Sequence, residues 1–297
     1  MHDLGRGFTV ARRVRLRGRT EEVTSPRAFA RGVSGVPVEL RSTIDYRWLE
    51  EAAKADPMVH AYTLWNLLHY PDRIRFVSAV RGGRTVGYLL VWLGRPARPV
   101  VHWFGRLPET AALVAALPPP PFATVVPPEI EPLVTGTRGA ASTHAVLTML
   151  RDRGAVGRDP TRTVVRSLVR ADRPALQAWA HRTPDPVVVE YAASDPEAEH
   201  LWAVFEGDYI VGIAGAAVRL PTIWVVAGVF VDPLARRRGV GRALMTAILG
   251  AATSAGASVG LYVREDALEA RALYDGLGFR PVGRNLWLEY AGVSPPG

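Results

Sequence analysis

The sequence predicts an α/β (α+β) fold in which a mixed sheet carries helices against it and the arrangement is laid down twice in tandem. Three observations lead there. Strand-like and helix-like periodicities alternate through residues 163–290. The segment Val80-Arg-Gly82-Gly-Arg-Thr-Val86-Gly87-Tyr88 lines up with Phe205-Glu-Gly207-Asp-Tyr-Ile-Val211-Gly212-Ile213 at a constant offset of 125 residues, each copy reading as strand, glycine turn, strand. Finally, 297 residues with 48% hydrophobic content supply apolar material for two cores.

From the N-terminus, residues 1–31 carry Arg6, Arg12, Arg13, Arg15, Arg17, Arg19, Arg27 and Arg31 against three acids, with little apolar periodicity. They read as a flexible basic arm: a solvated tail or overlong start, or else a nucleic-acid or transit element. A first αβ unit follows over 40–155, with an amphipathic helix from Asp56 to Tyr70, the hairpin around Gly82, a proline-rich break at Pro118 to Pro121 and a helix over 109–117. Gly154, Gly157 and Pro160 mark a boundary, and a second unit spans 160–292. There the expected order is β 163–170, helix 172–181, β 199–205, β 209–218, β 222–231, helix 238–255, β 257–263, helix 267–276, β 279–283 and β 285–290. Val240, Ala243, Leu244, Ala247, Ile248 and Ala251 fall at helical spacing and Gly256 supplies a stop.

Composition narrows the chemistry. With no cysteine there is no disulfide, thiolate zinc site or cysteine nucleophile. The seven histidines show no metal-ligand spacing, and no serine sits in a nucleophile elbow, so no metal is expected. Arg219 and Pro221 split the longest apolar runs, so no membrane span and a cytoplasmic protein are expected. The net charge of +8 favours polyanionic partners, nucleotide cofactors among them.

The decisive segment is Val229-Phe230-Val231-Asp-Pro-Leu-Ala-Arg236-Arg237-Arg238-Gly239-Val240-Gly241-Arg242, a hydrophobic strand turning through a tight loop into a helix. The leading amides of a helix have no internal partner and carry partial positive charge, so they cradle phosphate. Gly239 and Gly241 matter because a Cβ would block the anion's approach. Arginines at a helix N-terminus are opposed by the macrodipole at roughly 0.3 to 1 kcal/mol each, so four of them imply an anion. No Gly-Lys-Ser/Thr follows for a triphosphate loop, and Leu244 stands where a dinucleotide fold needs a small residue.

Arg236-x-x-Gly239-x-Gly241 after such a strand resembles the coenzyme A pyrophosphate loop of the GNAT superfamily of N-acyltransferases, over about 130 residues of this chain. The resemblance implies a GNAT-like, mostly antiparallel sheet flanked by helices. It also implies acetyl-CoA or another acyl-CoA as cosubstrate, and an N-acyltransferase acting on the primary amine of a small molecule or protein. Backbone groups of Val229, Phe230 and Val231 would pair with the pantetheine arm, the amides of Arg237, Arg238, Gly239, Val240, Gly241 and Arg242 would hold the pyrophosphate, and Arg236 would contribute. Ala270-Arg-Ala-Leu273-Tyr274 followed by Gly278-Phe279 is similar to the second family motif, with Tyr274 beside the departing sulfur as proton donor. Its other reading is a core tyrosine with a satisfied hydroxyl.

Two departures stand out: the asparagine seven residues before that tyrosine is Ala267, and a glutamate base found in some members is Tyr262. The base is unassigned, with Glu206 and Glu265 the nearby acids, which points to a weakly basic acceptor amine. The first half has no Arg-x-x-Gly-x-Gly after its matching strand, so it is expected not to bind coenzyme A and instead to wall the acceptor pocket, a layout similar to tandem, glycine N-acyltransferase-like proteins. Two other readings remain: a coenzyme-binding module without turnover, and a basic nucleic-acid-binding protein, for which the arm is the only argument. No oligomeric state is implied.

Overall fold

The computed structural model describes residues 37–94, 99–139, 141–155, 157, 163–193 and 200–291. The basic arm at 1–31 and most of the expected boundary at 155–162 lie outside the described residues. The first half runs β1 (Val38–Arg41), α1 (Tyr46–Ala55), α2 (Pro57–His69), β2 (Ile74–Arg81), β3 (Arg84–Trp92), β4 (Val100–Phe104), α3 (Leu107–Val114), β5 (Phe122–Val126), α4 (Glu131–Arg138) and β6 (Ser142–Arg151). The second half runs β7 (Val165–Ser167), α5 (Arg173–Arg182), α6 (Pro186–Ala193), β8 (Leu201–Glu206), β9 (Tyr209–Arg219), β10 (Ile223–Val231), α7 (Val240–Ser254), β11 (Ser258–Arg264), α8 (Leu268–Asp275) and β12 (Arg280–Tyr290).

The twelve strands among the described residues form one sheet, in the order β1-β2-β3-β4-β5-β12-β6-β11-β10-β9-β8-β7. Only β4–β5 and β10–β11 run parallel; every other neighbouring pair is antiparallel. The order is a palindrome of the duplicated unit, with one exchange at its centre. The last strand of the first half, β6, pairs with β11 of the second, and the last strand of the second half, β12, pairs with β5 of the first. β6 and β12 then pair with each other through nine registered positions.

Directly opposed residues of an antiparallel pair share a face. Leu286 and Leu288 therefore share the face of Leu147 and Met149. On it α7 and α8 cover Leu147 and Met149, while α3 and α4 cover Leu286, Leu288 and Tyr290. The other face carries α1, α2, α5 and α6. Each half thus buries the other's final strand, so the two apolar cores are not independent. Helix α2 adds a second tie, since Met58, Ala61 and Trp65 lie against Val218, Ile223 and Val225 of the second half.

One element lies outside the expected order and one differs from it. The segment Val187-Val-Val189 has the β-branched content of a strand, yet it lies in helix α6. Pro186 opens the helix, the Asp185 carboxylate accepts from the Val187 amide at 2.9 Å, and Val188, Tyr191 and Ala192 are buried. The two short strands expected over 279–290 are one strand, whose irregularity falls between Pro281 and Gly283.

Candidate active site

The site begins where β10 and β11 part. Their parallel pairing runs from Ile223↔Ser258 to Val226↔Leu261 and then stops, although β10 continues to Val231 and β11 to Arg264. On its other side β10 still pairs with β9, at Phe230↔Ile213 and Val231↔Gly212, across a bulge between Ala227 and Phe230. Gly228 makes that bulge at φ +59, and an ideal Cβ there would collide with the Tyr191 ring. The Tyr191 hydroxyl donates to the Ala227 carbonyl at 2.9 Å, so α6 holds the bend from below. Val229 to Val231 therefore line a V-shaped gap with one backbone edge unpaired by β11.

The chain then turns through Pro233–Ala235, with Asp232 accepting from the Leu234 amide at 2.9 Å, into the arginine loop. Arg237 at φ +61 and Gly239 at φ +85 are both left-handed, a conformation cheap for glycine and costly for arginine. Gly239 is the residue preceding α7, and no side chain caps that helix. The first internal bond runs from the Ala243 amide to the Gly239 carbonyl at 2.9 Å, leaving the preceding amides directed outward. Behind them Gly241 fits closely, since an ideal Cβ would lie 3.2 Å from Leu273 Cδ2 and 3.7 Å from Val231 Cγ2.

The arginines divide by role. The Arg236 guanidinium turns back, its Nε donating to the Val231 carbonyl at 3.2 Å and its plane facing Phe230. Arg238 pairs with Glu206 of the β8–β9 turn at 2.6 Å, which ties the loop to the hairpin. Arg242 reaches the Gly276 carbonyl at 3.4 Å and Arg237 stands 4.0 Å from Glu269, both at the edge of α8. Glu206, weighed as a base, is thus a loop contact, a role that its sequence position in a hairpin turn gave no sign of.

Tyr274 is on α8, 6% exposed, edge-on to Phe279 at 5.8 Å. Burial pushes its hydroxyl up to about 12. No described residue hydrogen-bonds that hydroxyl, which separates it from a core tyrosine with a satisfied partner. Tyr262 follows the last β10–β11 rung and belongs to the opposite face, in the cluster formed by α2. Burial raises its pKa as well, so it is a neutral phenol. Glu265 is held by Arg284 through bonds of 2.9 to 3.2 Å, and that contact lowers its pKa. Among the described residues no group of three or more His, Asp or Glu side chains is placed to hold a metal ion.

The first half repeats the frame and fills it. β4 and β5 pair only at Val100↔Ala123 and Val101↔Thr124 before parting. Tyr88↔Phe104 corresponds to Ile213↔Phe230, so Trp103 stands where Val229 stands in the second half. Its indole donates to the Val125 carbonyl at 3.1 Å and bridges the gap. The first turn of α3 contains Glu109, 3% exposed and 3.0 Å from Arg81. A carboxylate of the chain's own thus sits in the first turn of the matching helix.

Residues 165–279 match the family model described as acetyltransferase (GNAT) family. No curated protein matches the chain. Among solved structures, a Drosophila protein superimposes with a TM-score of 0.63 at 14% identity, covering 85% of this chain and 98% of its own. A GCN5-related N-acetyltransferase from Sphaerobacter thermophilus gives 0.56 at 14% identity over 87% of this chain and 98% of its own. A tandem GNAT protein from the clavulanic acid biosynthesis pathway gives 0.55 at 17% identity over 87% of this chain and 100% of its own, so the likeness of fold extends over both halves. The chain therefore carries a GNAT-family domain at residues 165–279, the stretch that contains the parted strands, the arginine-glycine loop and Tyr274.

Proposed function

We propose that the second half is an acyl-CoA-dependent N-acyltransferase, with acetyl as the default acyl group and a primary amine of a small molecule or protein as acceptor. The observation that supports this reading is the uncapped N-terminus of α7, entered through the left-handed Gly239 and backed by the closely packed Gly241, at the mouth of the β10–β11 gap. The amides from Arg237 to Arg242 face a diphosphate, and the unpaired edge of Val229, Phe230 and Val231 accepts a pantetheine arm by strand-like pairing. Arg236 acts on the end of β10 itself.

In the reaction a neutral amine attacks the thioester carbonyl carbon, the carbon–sulfur bond breaks with the coenzyme leaving as a thiolate, and the surplus proton of the acylated nitrogen passes through solvent to that thiolate, giving the amide and the free thiol. Tyr274 donates a hydrogen bond to that sulfur. A thiol titrates near about 8.5 and Tyr274 at about 12, so complete proton transfer is uphill by roughly 5 kcal/mol, and hydrogen bonding is the role left to it. Both nearby glutamates are engaged by arginines, so the amine arrives neutral by its own ionisation. That costs roughly 1 kcal/mol at pH 7 for an α-amine and roughly 4.6 for a lysine side chain, which favours weakly basic acceptors.

A thermal-shift panel of acyl-CoAs tests the binding step, because a ligand at 100 times its Kd adds about 2.7 kcal/mol of stability. No shift with any acyl-CoA would remove the proposal. Product formation across amines of graded pKa tests turnover, with faster rates expected for the weaker bases. Binding without product would leave a coenzyme-binding module.

A further inference from the structure

At the other end of β10 a second group of basic side chains gathers, drawn from both halves. Arg219 closes β9, His200 precedes β8, and His69 is the last residue of α2. The Arg219 Nη2 donates to His200 Nε2 at 2.6 Å, which requires His200 to be neutral, and its guanidinium lies over the Trp224 ring at 5.5 Å. His69 stands against Trp65, ring centres 3.8 Å apart, and Trp65 packs in one cluster with Val218 and Leu220, the residues on either side of Arg219. His200 is held at φ +49, a left-handed conformation that directs it here at some backbone cost.

Among the described residues no counter-charge meets this group. The Arg219 Nε is buried without a hydrogen-bond partner, and among the described residues no carboxylate pairs with this guanidinium. Burial pulls the Arg219 pKa down. Burial, and after it Arg219, lowers His69, and burial, Arg219 and His69 hold His200 at about 4. The guanidinium charge is therefore held at partial depth with a neutral imidazole beside it and no described carboxylate paired to it, a costly arrangement unless an anion completes it.

We propose that Arg219, His200 and His69 form a binding site for an oxyanion, a phosphate or carboxylate group, at the junction of the two halves. It is separate from the glycine loop, because the seven residue steps from Trp224 to Val231 span roughly 23 Å of strand. The guanidinium supplies a fork for two oxygens, and His200 exchanges its contact with Arg219 for one with the anion. Occupancy joins α2 of the first half to β9 of the second.

The test follows the His69 and His200 ring signals by NMR in the full chain while inorganic phosphate, acetate or chloride is added at constant ionic strength. The expected result is a saturable movement of both signals with phosphate or acetate, an upward shift of both histidine pKa values, and no such movement with chloride. Whichever of phosphate and acetate acts at the lower concentration identifies the source of the oxyanion. Arg219→Gln should abolish the movement and His69→Gln, at an exposed helix end, should weaken binding about 3- to 10-fold. Gly241→Val should leave it intact, so the result stands or falls separately from coenzyme binding. Unmoved signals, an equal effect of chloride, or a response that survives Arg219→Gln would overturn the proposal. Should Arg219→Gln not fold, an undiminished response in His69→Gln does so instead.

Discussion

Gly241 has little room behind it: Leu273 and Val231 occupy the space a side chain would need, and in front are the amides assigned to the diphosphate. Gly241→Val is expected to abolish the thermal shift by coenzyme A while the unliganded chain remains folded, which calorimetry and circular dichroism together would show. Tyr274→Phe keeps the ring against Phe279 and removes only the hydroxyl, so about a 10²-fold loss in kcat with little change in coenzyme affinity is expected from steady-state kinetics. His60 is 1% exposed, its Nδ1 2.9 Å from the Tyr88 hydroxyl, and burial lowers its pKa to about 4. Its folded value lies below the unfolded one near 6.5, so the stability it contributes is present above pH 6.5 and is lost as pH falls towards 4. The loss approaches about 3 kcal/mol. Urea titrations at pH 7 and pH 4.5 should show it, and His60→Gln should flatten the difference.

At the scale of elements, the loop, its glycines and the tyrosine helix were legible because each is local: a strand, a turn and a helix start within fourteen residues announce an anion cradle through spacing alone. Three features were not. The bend at Gly228 depends on Tyr191, 37 positions upstream on a helix whose valine run looks like a strand. Glu206 meets Arg238 only because the β8–β9 turn folds beside the loop. The first half's filled gap needed the strand register to equate Trp103 with Val229, since the bulge shifts the repeat by one residue. Helix α2 offers a test of how elements from different halves fit. An ideal Cβ on Gly260 of β11 would collide with Met58 Sδ, so Gly260→Val should cost about 1 to 3 kcal/mol, and Met58→Ala in the same chain should recover part of it in a double-mutant cycle.

For the whole molecule, the sequence showed a duplication but not the exchange of β6 and β12, because pairing partners more than about 100 positions apart leave no periodic trace. The exchange makes the halves energetically one body: Leu288 and Tyr290 complete the core under α3 and α4, and Met149 completes that under α7. Denaturant unfolding is therefore expected to show a single transition by fluorescence and by far-UV circular dichroism, where two self-contained halves would give two. With Trp103 and Glu109 in the first half's frame, titration calorimetry should find one coenzyme A per chain, not two.

The central position of β12 also bears on how the chain is made. Residues 280–290 are translated after the other eleven described strands, yet β5 lacks its second neighbour until they arrive. During synthesis the nascent first half carries an open sheet edge for the time needed to translate everything from β6 to β12, the state in which strands pair with the wrong chain. A premature stop ahead of Arg280 would leave both halves unfinished at once, so truncated products should be found in inclusion bodies or bound to chaperones.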